Sequence, residues 1–290
     1  MARKGNVLTP PSVAVTTVAT PPGTDAVGDV GAFNQASFSK LASEYLSLAL
    51  EPAELWLLRQ HRGDWHKLRM LDLGVGAGRT ALTFAGVAGS YVGLDYIDEM
   101  VRLSRERVGE DENTRFVVRD ARDLSCFRDG EFDIVLFSCC GIDAVDHDDR
   151  QAIIRQVRRV IKPGGQFVFN VHNLSSYPPA PFTVPSSAPT KLHALYYAWK
   201  RRAFRRRLQK AMDESNMAAV RARGWGSLRD GAHNFSVSNF HIDPQLQVDE
   251  TRAAGLEIVT IMDRDAQPIL NVRSCTSSHV WFVVRRPLAA

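Results

Sequence analysis

The 290-residue sequence has only four cysteines, and none of them forms a CxxC pair. Cys139 and Cys140 are adjacent, which is not a usual spacing for a metal site or a disulfide. We therefore expect reduced thiols, no bound metal and a cytoplasmic protein. The sequence also lacks any apolar run that approaches the roughly 18 residues of a membrane-spanning helix. Prolines interrupt the apolar residues near the N-terminus, which argues against a secretory signal.

Acidic residues are missing from residues 191–210, which carry eight Lys and Arg side chains. Since the formal net charge is +4, the rest of the chain carries −4. The basic character therefore belongs to one segment. Three interpretations stay open: a solvated helix face, contact with an anionic substrate or carrier, and contact with RNA or a membrane surface.

Residues 1–30 contain no aromatic side chain and show no hydrophobic periodicity, which is typical of a disordered tail. We expect residues 31–290 to form one domain, and helical spacing predicts two helices between Phe33 and Arg62. Beyond them, short apolar runs alternate with helical patterns, which predicts an α/β fold with a parallel sheet between helices. The predicted strands cover residues 68–73, 91–95, 115–119, 132–138, 166–171, 256–262 and 280–284.

The alternation stops after the fifth predicted strand and resumes near Phe240. Residues 174–239 are therefore predicted to be an insertion, with a proline-rich loop followed by an amphipathic basic helix. Its position after a strand of the sheet suggests a lid over an acceptor pocket, with aromatic side chains lining the cap.

A glycine-rich turn joins the first predicted strand to the following helix. Gly74, Gly76 and Gly78 occur at alternate positions, and Asp72 precedes them by two residues. Strand, glycine turn and helix in this order hold nucleotide-like ligands at the carboxyl edge of a parallel sheet. The spacing is not the Gly-x-Gly-x-x-Gly of dinucleotide-binding folds, which argues against the competing interpretation as a nicotinamide-dependent oxidoreductase.

Five segments in order carry a family resemblance: 71–78, Asp95, Asp120-Ala121, 132–135 and 163–165. Together they resemble the class I S-adenosylmethionine-dependent methyltransferases, of the type that modifies small molecules or glycans. The resemblance implies a doubly wound, mostly parallel sheet of seven strands. It also implies an N-terminal helical cap, an α-helical insertion after strand 5 and S-adenosylmethionine as the cofactor.

The resemblance also implies roles for particular residues. The three glycines would face the methionine part and the ribose, and Asp72 would bind the cofactor's amino group or hold the loop. Asp95 would accept hydrogen bonds from both ribose hydroxyls, because a carboxylate has two oxygens. The remaining expected contacts are Tyr96 beside the adenine, Asp120 and Ala121 at the adenine amino group, and Ser138 at the methionine end.

Two side chains at the ends of the fourth and fifth strands are candidates for acid–base chemistry. His172 is the first candidate for a general base or an acceptor-orienting group, and Asp143 is the second. A structural role is the alternative for His172. The sequence after strand four lacks the Asn/Asp-Pro-Pro-aromatic pattern of adenine methyltransferases, so DNA is not an expected substrate.

We therefore expect methyl transfer by in-line displacement to an oxygen or nitrogen atom of a small molecule or glycan, with an anionic acceptor as one of the open interpretations. Two other functions stay open. An RNA methyltransferase would use the basic segment 191–210 to contact phosphates. A non-catalytic protein with a methyltransferase fold would instead bind a partner through that segment.

Overall fold

The computed structural model describes residues 30–41, 49–178, 191–229 and 235–288. The predicted tail, residues 1–30, lies outside these ranges except for residue 30. The helices of the described part are α1 (Val30–Leu41), α2 (Pro52–Gln60), α3 (Ala81–Phe84), α4 (Asp98–Val108), α5 (His147–Val160), α6 (Lys191–Glu214), α7 (Met217–Arg223) and α8 (Pro244–Ala253). The strands are β1 (Arg69–Leu73), β2 (Ser90–Asp95), β3 (Thr114–Val118), β4 (Phe132–Phe137), β5 (Ile161–Asn173), β6 (Trp225–Leu228), β7 (Asn239–Ile242), β8 (Glu257–Met262) and β9 (His279–Arg285).

Seven of the nine strands of the sheet among the described residues are neighbours in the order β3-β2-β1-β4-β5-β9-β8. Strands β1 to β5 are mutually parallel, whereas β9 runs antiparallel to both β5 and β8. The predicted doubly wound, mostly parallel sheet is therefore confirmed. The strand order reverses between β1 and β4, and in such sheets ligands bind outside the carboxyl ends of the strands at that point.

Apolar side chains cover both faces of this sheet and hold the helices against it. Helix α5 illustrates how the sequence specifies the packing. Asp146 caps its N-terminus by accepting a hydrogen bond from the backbone N–H of Asp149 at 3.1 Å. The stripe Ile153, Val157 and Val160 is buried against the sheet, as the helical period of the sequence predicts. Such packing holds the carboxyl ends of the parallel strands in place at the point where the strand order reverses.

The insertion differs from the prediction, because it is not helical throughout. Helices α6 and α7 are followed by an antiparallel hairpin of β6 and β7. Strand β7 then pairs in parallel with the last two residues of β5, so the hairpin extends the sheet to nine strands among the described residues. Four-residue strands are too short for an alternating pattern to stand out in the sequence.

Strand β5 is also longer than predicted. It begins at Ile161, so the expected turn at residues 163–165 lies within the strand. Gly164 has φ +80°, and its N–H donates to the carbonyl of Arg286 at 2.8 Å. Residues 163–165 therefore form an irregular part of strand β5, which remains hydrogen-bonded to the chain just after β9.

The helices of the described part include none that combines the length and the apolar character needed to cross a membrane.

Candidate functional site

A cavity of about 250 Å³ lies at the carboxyl ends of the parallel strands. It extends from the glycine turn after β1 to the end of β5, so it passes the point where the strand order reverses. The lining consists mainly of glycine backbone and apolar side chains, with a few polar or charged side chains among them. Its lining residues are Phe38, Gly74, Val75, Gly76, Ala77, Arg79, Thr80, Leu94, Asp95, Tyr96, Ile97, Met100, Arg119, Ala121, Phe137, Ser138, Cys139, Cys140, Gly141, Ala144, His172 and Asn239.

The glycine turn forms one wall of the cavity. Gly74 and Gly76 line it with φ angles of +61° and +56°, a backbone region that side chains strongly disfavour. A β-carbon on Gly74 would also lie 2.8 Å from the ring of Phe137. Gly78 is not among the lining residues. A β-carbon there would lie 3.2 Å from the hydroxyl of Ser104 on α4, so this glycine permits close helix packing.

Asp95 ends β2 at the centre of the cavity wall. Its Oδ2 accepts the N–H of Gly76 and its Oδ1 accepts the N–H of Ile97, both at 2.9 Å. Burial raises the pKa of this carboxyl to about 6, against the lowering effect of those backbone hydrogen bonds. Each oxygen keeps a further lone pair, so the carboxylate can accept two more hydrogen bonds from a vicinal diol.

Asp72 lies beneath the turn rather than on the cavity wall. Its Oδ2 accepts hydrogen bonds from the hydroxyls of Thr80 at 2.5 Å and Tyr91 at 2.6 Å. Burial raises its pKa to about 6. Of the two roles considered for Asp72, the structure favours holding the loop over direct contact with a ligand.

The expected adenine contacts fall into two groups. Tyr96 and Ala121 line the cavity, together with Ile97 and Met100. Asp120 is not among the lining residues, because its carboxylate pairs with Arg122, two residues further along the chain, at 2.7 Å. The residues present fit the adenosyl part of the expected cofactor through apolar walls and the Asp95 carboxylate.

The two predicted catalytic residues are in direct contact. Asp143 is fully buried, and its Oδ2 lies 2.8 Å from Nδ1 of His172 and accepts the backbone N–H of His172 at 2.7 Å. Its other oxygen forms an ion pair with the buried Arg150. His172 lines the cavity, whereas Asp143 does not. The pair is therefore a His–Asp dyad in which Asp143 orients the ring that faces the ligand space.

Sequence reasoning missed a buried ion pair beside the glycine turn. Arg79, which follows the three glycines, makes two contacts of 2.5 Å with the carboxylate of Glu54 on α2. Ser138 joins this cluster, since its hydroxyl donates to Glu54 and accepts from Arg79 at 3.0 Å. Ser138 lines the cavity as predicted. The sequence gives one indication of this ion pair, which is that Glu54 is a charged residue within the otherwise apolar run of α2.

Helix α1 also contributes in a way that the sequence did not predict. The amide of Asn34 donates to the carbonyls of Ala144 and Ser238, both at 2.8 Å. Gln35 donates to the carbonyl of Tyr96 at 3.1 Å, and Phe38 lines the cavity. Helix α1 thus connects the loop after β2 to the segment that precedes β7.

The sequence is similar to those of known methyltransferases, in agreement with the geometry of this cavity. Residues 70–165 match a family model described as a methyltransferase domain. An uncharacterised methyltransferase of Bacillus subtilis is 34% identical over 143 residues, which are 48% of this chain and 55% of that protein. A demethylmenaquinone methyltransferase of Staphylococcus aureus is 32% identical over 123 residues, which are 38% of this chain and 49% of that protein. The chain thus spans about half the length of these two relatives.

A solved structure has the same fold. The S-adenosylmethionine-dependent methyltransferase from Mesorhizobium loti aligns with a TM-score of 0.54 at 19% identity, covering 81% of this chain and 98% of that one. The sheet order and this structure confirm the predicted fold class, and the family model supports the predicted methyltransferase resemblance and the S-adenosylmethionine that it implies. Residues 70–165 of the chain therefore carry a methyltransferase domain.

Proposed function

We propose that this protein transfers a methyl group from S-adenosylmethionine to an oxygen or nitrogen atom of a small molecule or glycan. The observation that carries the proposal is the single cavity that the glycine turn, Asp95 and His172 all line. One end of it has the features of a cofactor site. The other end has a histidine that a buried carboxylate orients, which suits a hydroxyl acceptor that must lose a proton.

The cofactor end would bind through backbone and carboxylate groups. Asp95 accepts the ribose hydroxyls, and Gly74 and Gly76 let the backbone approach the ribose and the methionine part. Tyr96 and Ala121 flank the adenine. The other expected contacts act less directly: Asp72 holds the turn, Gly78 packs it on α4, Ser138 stands at the methionine end, and Asp120 reaches the adenine amino group only if it leaves Arg122.

S-adenosylmethionine supplies a methyl group already activated by its positively charged sulfur. The protein therefore has to align the acceptor and, for a hydroxyl acceptor, remove its proton. When Asp143 accepts a hydrogen bond from Nδ1 of His172, the neutral ring carries its lone pair on Nε2, which is then the basic atom. When the ring becomes charged, the carboxylate 2.8 Å away stabilises it. Asp143 is thus a positioning residue and His172 the base.

The acceptor class follows from the walls of the cavity. Among the described residues its lining is largely apolar and includes two arginines, Arg79 and Arg119, which suits a small, mostly uncharged acceptor better than a polyanion. The Staphylococcus aureus relative is named for a small-molecule substrate, demethylmenaquinone, which supports this class. The basic helix α6 is the feature on which an anionic acceptor or carrier would depend.

The test has a binding arm and a turnover arm. Calorimetry with S-adenosylhomocysteine and with NAD measures cofactor choice, and labelled S-adenosylmethionine with a panel of hydroxylated and amino metabolites measures transfer. His172→Ala should lower kcat by about 10²–10⁴-fold while leaving the affinity for S-adenosylhomocysteine unchanged. The exposed His66→Ala is the matched control and should retain full activity.

Each alternative gives a different result. Failure of wild type to bind S-adenosylhomocysteine would refute the proposal. Binding without turnover on any acceptor would favour the non-catalytic protein. Turnover on RNA that falls steeply with salt, and is lost when Arg205, Arg206 and Arg207 become alanine, would favour the RNA methyltransferase.

A further inference from the structure

A cluster of metal-ligating side chains lies at the acceptor end of the cavity. Cys140 follows β4, His172 is near the end of β5, and His279 begins β9. One potential ligand atom from each of the three lies within 4.8 Å of the other two. The expectation that the protein binds no metal rested on spacing along the chain, and these residues are separated by 32 and 107 positions.

The sheet brings the histidines together. His172 is the register partner of His279 on antiparallel β9 and of His241 on parallel β7. Residues directly opposite one another on neighbouring strands project from the same face, so the three rings form a row. The ring centroid of His172 is 4.9 Å from that of His279 and 4.9 Å from that of His241.

Cys140 is held beside this row by an unusual backbone. Cys139 and Cys140 have φ angles of +51° and +53°, a left-handed region that residues other than glycine rarely adopt. The side chain of Asn170 accepts the N–H of Cys140 at 2.7 Å and fixes the turn. Strain of this kind persists mainly where a functional geometry requires it.

We propose that Cys140, His172 and His279 bind a divalent transition metal ion, with Zn²⁺ the ion best suited to one thiolate and two imidazoles. Three protein ligands are typical of catalytic zinc sites, in which the fourth position stays open for water or substrate. Cys140 and His172 both line the cavity, so the ion would be adjacent to the acceptor space.

The surroundings of His172 match a metal ligand. Asp143 lies 2.8 Å from Nδ1 of His172, and a carboxylate behind a ligating histidine is the usual support for such a site. Because metal ions bind the thiolate form of cysteine, ion binding would displace the proton of the Cys140 thiol to the solvent. One thiolate, two neutral rings and a divalent ion leave one net positive charge.

The chemical use of this ion rests on the proposed function, although its binding does not. An acceptor hydroxyl that occupies the fourth position would lose its proton to the solvent more easily, because a divalent ion lowers the pKa of a bound oxygen. His172 would then hold the ion and not take the proton itself. In the metal-free protein it keeps the role of base.

Cobalt titration of the chelator-treated full chain tests the site. Co²⁺ bound through a thiolate gives a charge-transfer band in the near ultraviolet and visible bands typical of four-coordination. Wild type should bind one Co²⁺ with both features, and Zn²⁺ should displace it. Cys140→Ser should lose the charge-transfer band, and His279→Ala should lose the four-coordinate visible bands. Cys139→Ser, in the adjacent position, and Cys126→Ser, at an exposed thiol, should retain the wild-type spectrum.

The outcomes separate this site from the proposed function. A wild-type charge-transfer band in Cys140→Ser, or no cobalt spectrum in wild type, would overturn the metal site. Calorimetry with S-adenosylhomocysteine on the same samples reports on folding and on the cofactor end. Cofactor binding without cobalt binding would refute only the metal site, and cobalt binding without cofactor binding would refute only the proposed methyl transfer.

Discussion

Replacing Asp95 with alanine removes the carboxylate that we expect to bind both ribose hydroxyls. In the ligand-free protein each of its oxygens already accepts one backbone N–H, from Gly76 and from Ile97, at 2.9 Å. The same oxygens have room for one further donor each. The substitution therefore affects the affinity for the cofactor and the stability of the turn, and the two effects can be measured separately.

The magnitude follows from the number of hydrogen bonds lost. A hydrogen bond to a charged group contributes about 1.5–3 kcal/mol, so two of them contribute at least about 3 kcal/mol. This corresponds to a loss of about 100-fold or more in the affinity for S-adenosylhomocysteine. The N–H groups of Gly76 and Ile97 lose their acceptors as well, which costs about 1–3 kcal/mol for each one that stays buried without a partner.

Isothermal calorimetry at pH 8 measures the affinity, and thermal unfolding followed by circular dichroism measures the stability. Asp120→Ala is the comparison, because that carboxylate pairs with Arg122 and does not line the cavity. It should weaken binding far less than Asp95→Ala. Unchanged affinity in a folded Asp95→Ala variant would refute the ribose assignment, and equal losses in the two variants would refute the distinction between them.

Three further predictions concern the same region. Burial raises the pKa of Asp95 to about 6, and ribose binding needs the ionised carboxylate. The affinity for S-adenosylhomocysteine should therefore fall by up to about tenfold per pH unit below pH 6. The same pH dependence in Asp95→Asn would contradict this. The raised pKa also means that this group's contribution to the stability of the ligand-free protein falls as the pH rises from 3.8 through about 6. Glu54→Ala should lower the unfolding free energy by about 3–5 kcal/mol, because it leaves the buried Arg79 guanidinium without its carboxylate partner. Asp64→Ala, in an exposed pair with Lys67, should leave the denaturant midpoint unchanged. Similar denaturant midpoints for the two variants would refute the difference. Gly74→Ala should lower the thermal midpoint more than Gly76→Ala, since both have positive φ but only the first would contact a phenylalanine ring at 2.8 Å; equal midpoints would contradict the steric argument.

The sequence predicted those parts of the site that depend on strand ends. Asp95, Ser138 and His172 each lie at the end of a predicted parallel strand or directly after it, and the carboxyl ends of such strands meet at one edge of the sheet. The glycine turn was predictable for the same reason. The pairing of His172 with Asp143 follows from neighbouring strands, although their 2.8 Å contact needed coordinates.

Other parts depend on side chains that meet from distant positions. Glu54 and Arg79 are 25 residues apart and belong to different elements, so no periodic pattern links them. Asp120 was expected to reach the adenine, but an arginine two residues further along holds its carboxylate. This competition between a local ion pair and a ligand contact has no signature in strand and helix patterns.

Helix α1 has a consequence for the order of events in turnover. Through Asn34 it is bonded to Ala144 and Ser238 beside the acceptor end, and through Gln35 to Tyr96 at the cofactor end. A displacement of α1 that admits or releases the cofactor would therefore also break contacts beside the acceptor space. Binding would then be compulsorily ordered: the cofactor would enter before the acceptor, and S-adenosylhomocysteine, the demethylated cofactor, would leave last. Steady-state inhibition by that product would be competitive against the cofactor and non-competitive against the acceptor.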